Sequence, residues 1–225
     1  MKKLLTALVL CTLVQWVAVP TATAQKRTGL DLSQVLSSNS FKAQNRQATL
    51  LTGESRKAIH LDAKPGAGII WLNDVEFSNG EIEFDVRGKD VLQQSFPGIA
   101  FHGKDLEAYD AIYFRPFNFR ADDPVRRSHS VQYISMPGYD WPKLRSEFPD
   151  KYEQPLANAP DPNGWFHVKV VVASPKVSVF VNGAEQPSLV VDKLSTQQTG
   201  SVGLWVGNNS EGDFANLTIK PATGK

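Results

Sequence analysis

Three acids stand on one face of a single strand-like stretch. In Gly80 to Arg87, GEIEFDVR, Glu81, Glu83 and Asp85 take every second position, and Ile82, Phe84 and Val86 take the others. Carboxylates in that alternation suit glycoside hydrolysis, where one group attacks or activates water while another protonates the leaving oxygen. Glu83 and Asp85 are the candidate acid/base pair. A solvated strand face carrying acids has the same pattern. His102, closing FPGIAFH, is an alternative base. The stretch Tyr109 to Arg120, YDAIYFRPFNFR, adds binding chemistry. Tyr113 can stack on a sugar ring, and Arg115 can clamp a carboxylate or vicinal hydroxyls. Gln132 falls on a neighbouring candidate strand. Arg115 can also pair internally with Asp85 or Glu83, and such a pair would preorganise a site. Trp141 and Arg145, in YDWPKLR, bring the aromatic-plus-arginine mixture that binding surfaces favour. Trp141 is either a sugar platform or an anchor for its loop. Phe117 and Phe119 are expected to pack beneath that loop.

Those residues must be held by strands, because period-two alternation dominates the chain. Strands are predicted at 57–62, 68–72, 80–87, 98–102, 108–115, 128–135, 166–173, 176–181, 188–191, 200–206 and 212–220. If alternation holds, Ile99 and Phe101 face one side and His102 the other. Asn79-Gly80, Asn163-Gly164 and Asn182-Gly183 mark turns, and KVSVFV-NG-AEQPSLVV reads as a hairpin. Helical periodicity is confined to one turn at 33–36 and another at 141–148. The second lies inside a long loop, 137–164, holding prolines 137, 142, 149, 155, 160 and 162. Long loops in compact domains are often functional. No internal repeat or linker divides the chain. Many short strands with turn signals predict an all-β, two-sheet antiparallel jelly-roll sandwich, one of whose outer faces is concave and polar.

Composition narrows the function classes. Residues 1–24 read as a secretory signal peptide: Lys2 and Lys3, an apolar run from Leu4 to Val19, Pro20, and Ala22-Thr23-Ala24 before Gln25. Cleavage there would leave a single domain over 25–225, secreted or periplasmic. The chain has 24 basic and 23 acidic residues; without Lys2 and Lys3 the balance is slightly negative, which argues against a nucleic-acid partner. Cys11 is the only cysteine and lies in the leader, which removes thiolate chemistry from the domain. No membrane span is expected after residue 24, and a monomer is expected. The histidines show no metal-ligand spacing, and there is no Gly-x-Ser-x-Gly, phosphate loop or dinucleotide fingerprint.

FSNGEIEFDVRG, FPGIAFHG, YDAIYFRPFNF, WFHVKVVV with VSVFVNG, and GSVGLWVGNNSEGDFANLTI together resemble concanavalin A-like jelly rolls of the laminin-G-like type. More narrowly they resemble the secreted bacterial 3-keto-disaccharide hydrolase domains, over roughly residues 41 to 220. The acidic strand is similar to that of family 16 glycoside hydrolases, although the order Glu, Glu, Asp puts a shorter Asp85 where that family has its acid/base Glu. The resemblance implies a sugar-handling envelope protein. Three functions follow as expectations: a carbohydrate-binding module, a glycoside hydrolase or 3-keto-glycoside lyase, or a structural or adhesion module. Laminin-G-like sandwiches often carry calcium, which would implicate Asp213 with Asn208 and Asn209 beside it.

Overall fold

The computed structural model describes residues 28–104 and 107–222. The leader expected over residues 1–24, Cys11 included, lies outside them. The strands are β1 (Thr28–Gly29), β2 (Phe41–Gln44), β3 (Ala48–Leu51), β4 (Ala58–Leu61), β5 (Gly68–Phe77), β6 (Gly80–Arg87), β7 (Pro97–Gly103), β8 (Tyr109–Phe114), β9 (Val131–Met136), β10 (Glu153–Gln154), β11 (Phe166–Ala173), β12 (Lys176–Val181), β13 (Leu189–Asp192), β14 (Gly200–Val206) and β15 (Gly212–Pro221). Three short α-helices interrupt them, α1 (Leu32–Ser37), α2 (Pro124–Ser128) and α3 (Trp141–Glu147), with one 3-10 turn at Pro116–Asn118. The strands form two antiparallel sheets. A back sheet runs β13-β12-β11-β6-β15-β4-β3, with β1 added on β15; a front sheet runs β10-β9-β8-β7-β14-β5-β2. This is the two-sheet sandwich that the alternation predicts.

The core lies between the sheets. On β6, Ile82, Phe84 and Val86 are fully buried, and on the adjacent β11, Phe166, Val168, Val170 and Val172 line the same inner face beside them. Phe114 of the front sheet meets Phe166 of the back sheet edge to face, with ring centres 5.1 Å apart. Phe114 therefore points inward, and by alternation Tyr113 points out of the front sheet. Close strand approach makes this possible. A Cβ on Gly98, which pairs with Tyr113, would lie 2.1 Å from the Ile112 carbonyl oxygen and 2.6 Å from Tyr113 Cα.

Sequence periodicity misses the short elements. β1 and β10 have two residues each, too few to show a period, β2 and β3 do not alternate in burial, and α2 occupies the start of the strand expected at 128–135. α2 forms because Pro124 presets the first helical turn while Asp123 accepts a hydrogen bond from the Val125 N–H at 2.8 Å. α3 uses the same device, with Pro142 in its first turn and Asp140 accepting from the Lys143 N–H at 3.1 Å. Among the described residues no helix is long and apolar enough to cross a membrane.

Candidate functional site

Four of the five predicted binding residues converge, while Gln132 is buried behind Arg115 and does not line the cleft. Tyr113, Arg115, Trp141 and Arg145 line an open cleft of about 630 Å³ on the outer face of the front sheet, together with Phe96, Phe117, Asn118, Arg126, His129, Trp205 and Asn208. They come from several pieces of local structure. Tyr113 projects from β8, and Arg115 follows that strand directly. Trp205 stands on β14, the next strand but one. Arg126 belongs to α2, and His129 closes it. Trp141 and Arg145 are four residues apart on α3, so they share one helix face, and the Arg145 guanidinium sits 4.9 Å from the centre of the Trp141 ring.

The aromatic floor is continuous. Tyr113 and Trp205 lie 4.9 Å apart between ring centres, Phe96 meets Tyr113 at 6.1 Å, and Phe96 meets Phe117 at 5.4 Å. Such offset and edge contacts fix the rings without side-chain freedom. Trp141 differs from them in being 46% exposed at the cleft wall. Burial pushes the Tyr113 hydroxyl up to about 12, so it stays protonated and can donate a hydrogen bond.

One buried carboxylate organises the wall. Glu153, on β10, is 3% exposed and pairs in register with Gln132 of β9. Arg145 Nε and Nη2 donate to its two oxygens, each at 2.7 Å. Arg115 Nη1 donates to Glu153 Oε2 at 3.3 Å and to the His129 carbonyl at 3.0 Å. Arg115 Nη2 donates to the Tyr113 hydroxyl at 2.7 Å and to Gln132 Oε1 at 3.0 Å. Gln132 is itself held by donating to the Tyr133 and Tyr152 carbonyls. Burial raises the Glu153 carboxyl, but hydrogen bonding from Arg145 and the charges of Arg115 and Arg145 outweigh it, so the group is held below its ordinary range. His129 is pushed down, chiefly by burial and further by Arg145 and Arg115, so its imidazole is neutral at pH 7. His129 Nδ1 comes within 2.9 Å of Glu153 Oε1 but off the line a hydrogen bond requires, and it has no hydrogen-bond partner among the described residues.

The expected pairing of Arg115 with Asp85 or Glu83 does not occur. β6 lies in the back sheet, and its acids point out of the sandwich on the side opposite Tyr113. The two sets are separated by a sandwich whose sheets alone stand about 10 Å apart. Arg115 takes Glu153 instead. Asp85 is engaged by Arg56 at 3.0 Å, by His167 at 2.9 Å and by Asn216 at 2.7 Å. Glu83 lies 3.5 Å from His167 on the same face. These acids are thus on another surface from the cleft.

His102 also departs from its expected direction. Its φ is 53°, and the adjacent β14 shifts register between Ser201 and Gly203. That irregularity breaks the alternation and turns the ring into the interior, against Phe77 and Phe101. The ring is fully buried. Nε2 donates to the Ser78 carbonyl at 2.7 Å, and Nδ1 lies 3.2 Å from Asp110 Oδ2. Asp110 also accepts from the Tyr133 and Ser195 hydroxyls at 2.7 and 2.6 Å. With both nitrogens engaged and no exposed surface, His102 cannot reach a saccharide.

Asp213 does not fit calcium. Its oxygens are taken by His60 at 2.7 Å and by Arg87 through Nε and Nη2, both at 2.8 Å. A divalent cation there would face a guanidinium and an imidazole rather than the oxygen cage it needs. Among the described residues no group of three or more His, Cys, Asp or Glu side chains is placed to hold a metal. Asn208 serves elsewhere: its side-chain oxygen accepts from the Gly66 N–H at 2.7 Å beside the cleft.

Sequence reasoning did not identify Glu153, His129, Arg126 or Trp205 as site residues. One signal was available for Glu153. Arginines 115, 126 and 145 cluster among aromatics, and buried guanidinium groups need a carboxylate.

The fold is a two-sheet jelly-roll sandwich with an open cleft on the outer face of one sheet. Residues 29–220 match the family described as 3-keto-alpha-glucoside-1,2-lyase-like domain, and the chain belongs to it. No curated protein matches the chain. Solved structures share the fold at low identity. The carbohydrate binding module CBM66 from Bacillus subtilis is 13% identical over 80% of this chain and 95% of its own, with a TM-score of 0.57. A native glycosidic hydrolase is 10% identical over 91% of this chain and 100% of its own, with a TM-score of 0.56. The mannose- and Ca2+-bound VIP36 exoplasmic/lumenal domain is 12% identical over 83% of this chain and 84% of its own, with a TM-score of 0.55. At such identities these likenesses establish architecture alone.

Proposed function

We propose that the protein is an exported saccharide-binding jelly roll that takes its ligand in the cleft walled by Tyr113, Arg115, Trp141, Arg145 and Trp205. The observation that carries this is the convergence of aromatic rings and fixed hydrogen-bonding groups in one open cleft. Sugars are bound this way because their C–H faces stack on aromatic rings while their hydroxyls need directional partners. Support comes from the family, described by its likeness to a lyase of 3-keto glucosides, and from structural neighbours that include a carbohydrate-binding module and a mannose-bound domain. Export rests on the leader-like residues 1–24. Amino-terminal sequencing of the protein from the extracytoplasmic fraction checks it, with Gln25 expected as the first residue.

His129 favours a second reading, elimination on a 3-keto glycoside. It lines the cleft as an imidazole that burial keeps neutral, with Nδ1 buried against Glu153, so that Nε2 is the nitrogen that would serve as the base. Such a base would take the proton at C2, which the 3-keto group acidifies. The electron pair would form the C1–C2 double bond as the C1–O bond breaks, and the leaving oxygen would take a proton from solvent water, the proton from C2 passing from His129 to solvent.

One experiment separates the readings. Residues 25–225 are screened against neutral, acidic and 3-keto disaccharides for binding and for product. Binding without turnover, weakened at least tenfold in Trp141→Ala, supports the module. Turnover abolished by His129→Gln makes the protein a lyase. A domain that neither binds nor converts any saccharide defeats both readings and leaves a structural module.

A further inference from the structure

The cleft carries more positive charge than its own structure uses. Arg115, Arg126 and Arg145 all line it, and burial keeps His129 uncharged. Against these guanidinium groups stands Glu153, which is buried and already holds Arg145 through both oxygens and Arg115 through one. Asp140, nearby on the loop, is committed to the α3 N-terminus.

Arg126 is the telling residue. Its Nη2 donates to the Phe117 carbonyl at 2.6 Å and its Nε to Asn118 Oδ1 at 3.3 Å. Both acceptors are neutral. Among the described residues no carboxylate lies within ion-pair distance of it. The two bonds fix the guanidinium plane and leave Nη1 without a protein acceptor. Arg145 likewise spends Nε and Nη2 on Glu153 and keeps its own Nη1. A half-buried, rigidly held guanidinium that faces an open cleft without a counter-charge is available to an anionic group at little further ordering cost. Planar guanidinium groups match carboxylate and sulfate oxygens better than they match neutral hydroxyls.

We infer that the cleft selects a saccharide bearing an anionic substituent, a uronate carboxylate or a sulfate, whose charge is met by Arg126 and Arg145 while its ring lies against the exposed Trp141. This rests on the saccharide-binding reading above. It assigns the ligand class, and it makes Arg126 a specificity residue.

Titration calorimetry on residues 25–225 tests it with matched probes. These are cellobiose, the same disaccharide with its terminal C6 oxidised to a carboxylate, and cellobiose 6-sulfate. An anionic probe is expected to bind on the order of tenfold more tightly than cellobiose at low salt, as a charge-assisted contact should give. Screening should narrow that ratio as salt rises from about 0.05 to about 0.5 M. In Arg126→Gln the ratio should fall toward one, and Arg126→Lys should restore part of it; thermal melts confirm that both variants are folded. The carboxylate and sulfate probes assign the anion. Cellobiose bound as tightly as both anionic probes overturns the inference and leaves the cleft reading standing. So does a preference for the anion that persists undiminished in folded Arg126→Gln. Binding of none of the three, nor of any acidic glycan in a wider panel, overturns the inference, and the cleft reading falls with it only when neutral and 3-keto disaccharides also fail to bind.

Discussion

Replacing Glu153 with glutamine should cost stability at neutral pH and much less in acid. The carboxylate is 3% exposed and receives two 2.7 Å bonds from Arg145 and one 3.3 Å bond from Arg115. Glutamine keeps the shape but replaces one acceptor oxygen with a donor, which then faces a guanidinium. Removing one partner of a buried pair typically costs about 3–5 kcal/mol. The Arg145 side chain is 37% exposed, so part of its share is screened by water. Arg115 also keeps the Tyr113 hydroxyl, Gln132 and the His129 carbonyl as acceptors. About 2–4 kcal/mol is therefore expected at pH 7, or a fall in Tm of roughly 5–12 °C for a domain of this size. The sign with pH follows from Glu153 being held below its ordinary value of 4.5. A depressed carboxyl contributes stability that is fully present above the unfolded value and is lost as pH falls through the lower folded value. Urea unfolding of both proteins should thus show a constant gap from pH 7 to about 5, closing below 4.5. A gap under about 0.5 kcal/mol at pH 7, or one unchanged at pH 3, would refute the assignment of Glu153 as the counter-charge of this wall.

Three further outcomes are expected. Trp141→Ala removes an exposed ring, so its stability effect should stay within about 0.5 kcal/mol, while saccharide affinity measured by calorimetry falls at least tenfold; equal affinity would remove Trp141 from the site. Asp110→Ala leaves the Tyr133 and Ser195 hydroxyls and His102 facing a fully buried gap, so a loss of about 3–5 kcal/mol is expected in denaturant unfolding; a loss below about 1 kcal/mol would show that water satisfies the network. The hydrogen bond to Asp213 is the main cause that raises His60 above 6.5. The stability it adds is fully present below 6.5 and is lost as pH rises through the folded value. His60→Gln should therefore remove about 0.5–1 kcal/mol at pH 6 and less at pH 8, and a pH-independent difference would contradict the pairing.

The sequence by itself determined the strands long enough to show a period. GEIEFDVR becomes β6 with its apolar residues buried and its acids outward, and 166–173, 176–181 and 200–206 fall where alternation puts them. It also determined which residue types could meet a ligand, because Tyr113, Arg115, Trp141 and Arg145 are an unusual expenditure of aromatics and charge in one region. Composition could not say which sheet each strand joins. Glu83, Asp85 and Arg115 all read as outward strand positions, yet two sheets have two outer faces, and only the strand order puts β6 on one and β8 on the other. Nor could alternation foresee its own failure at His102, where a left-handed φ beside a register shift turns the ring inward. Glu153 was hidden for a third reason. It sits on a two-residue strand inside a proline-rich loop, too short for any period, and its role exists only because pairing with β9 carries it beneath two arginines from elsewhere in the chain. Local pattern follows from contacts a few residues apart, which a sequence records directly. A site follows from which faces are brought together across the sandwich, and that is settled by long-range pairing alone.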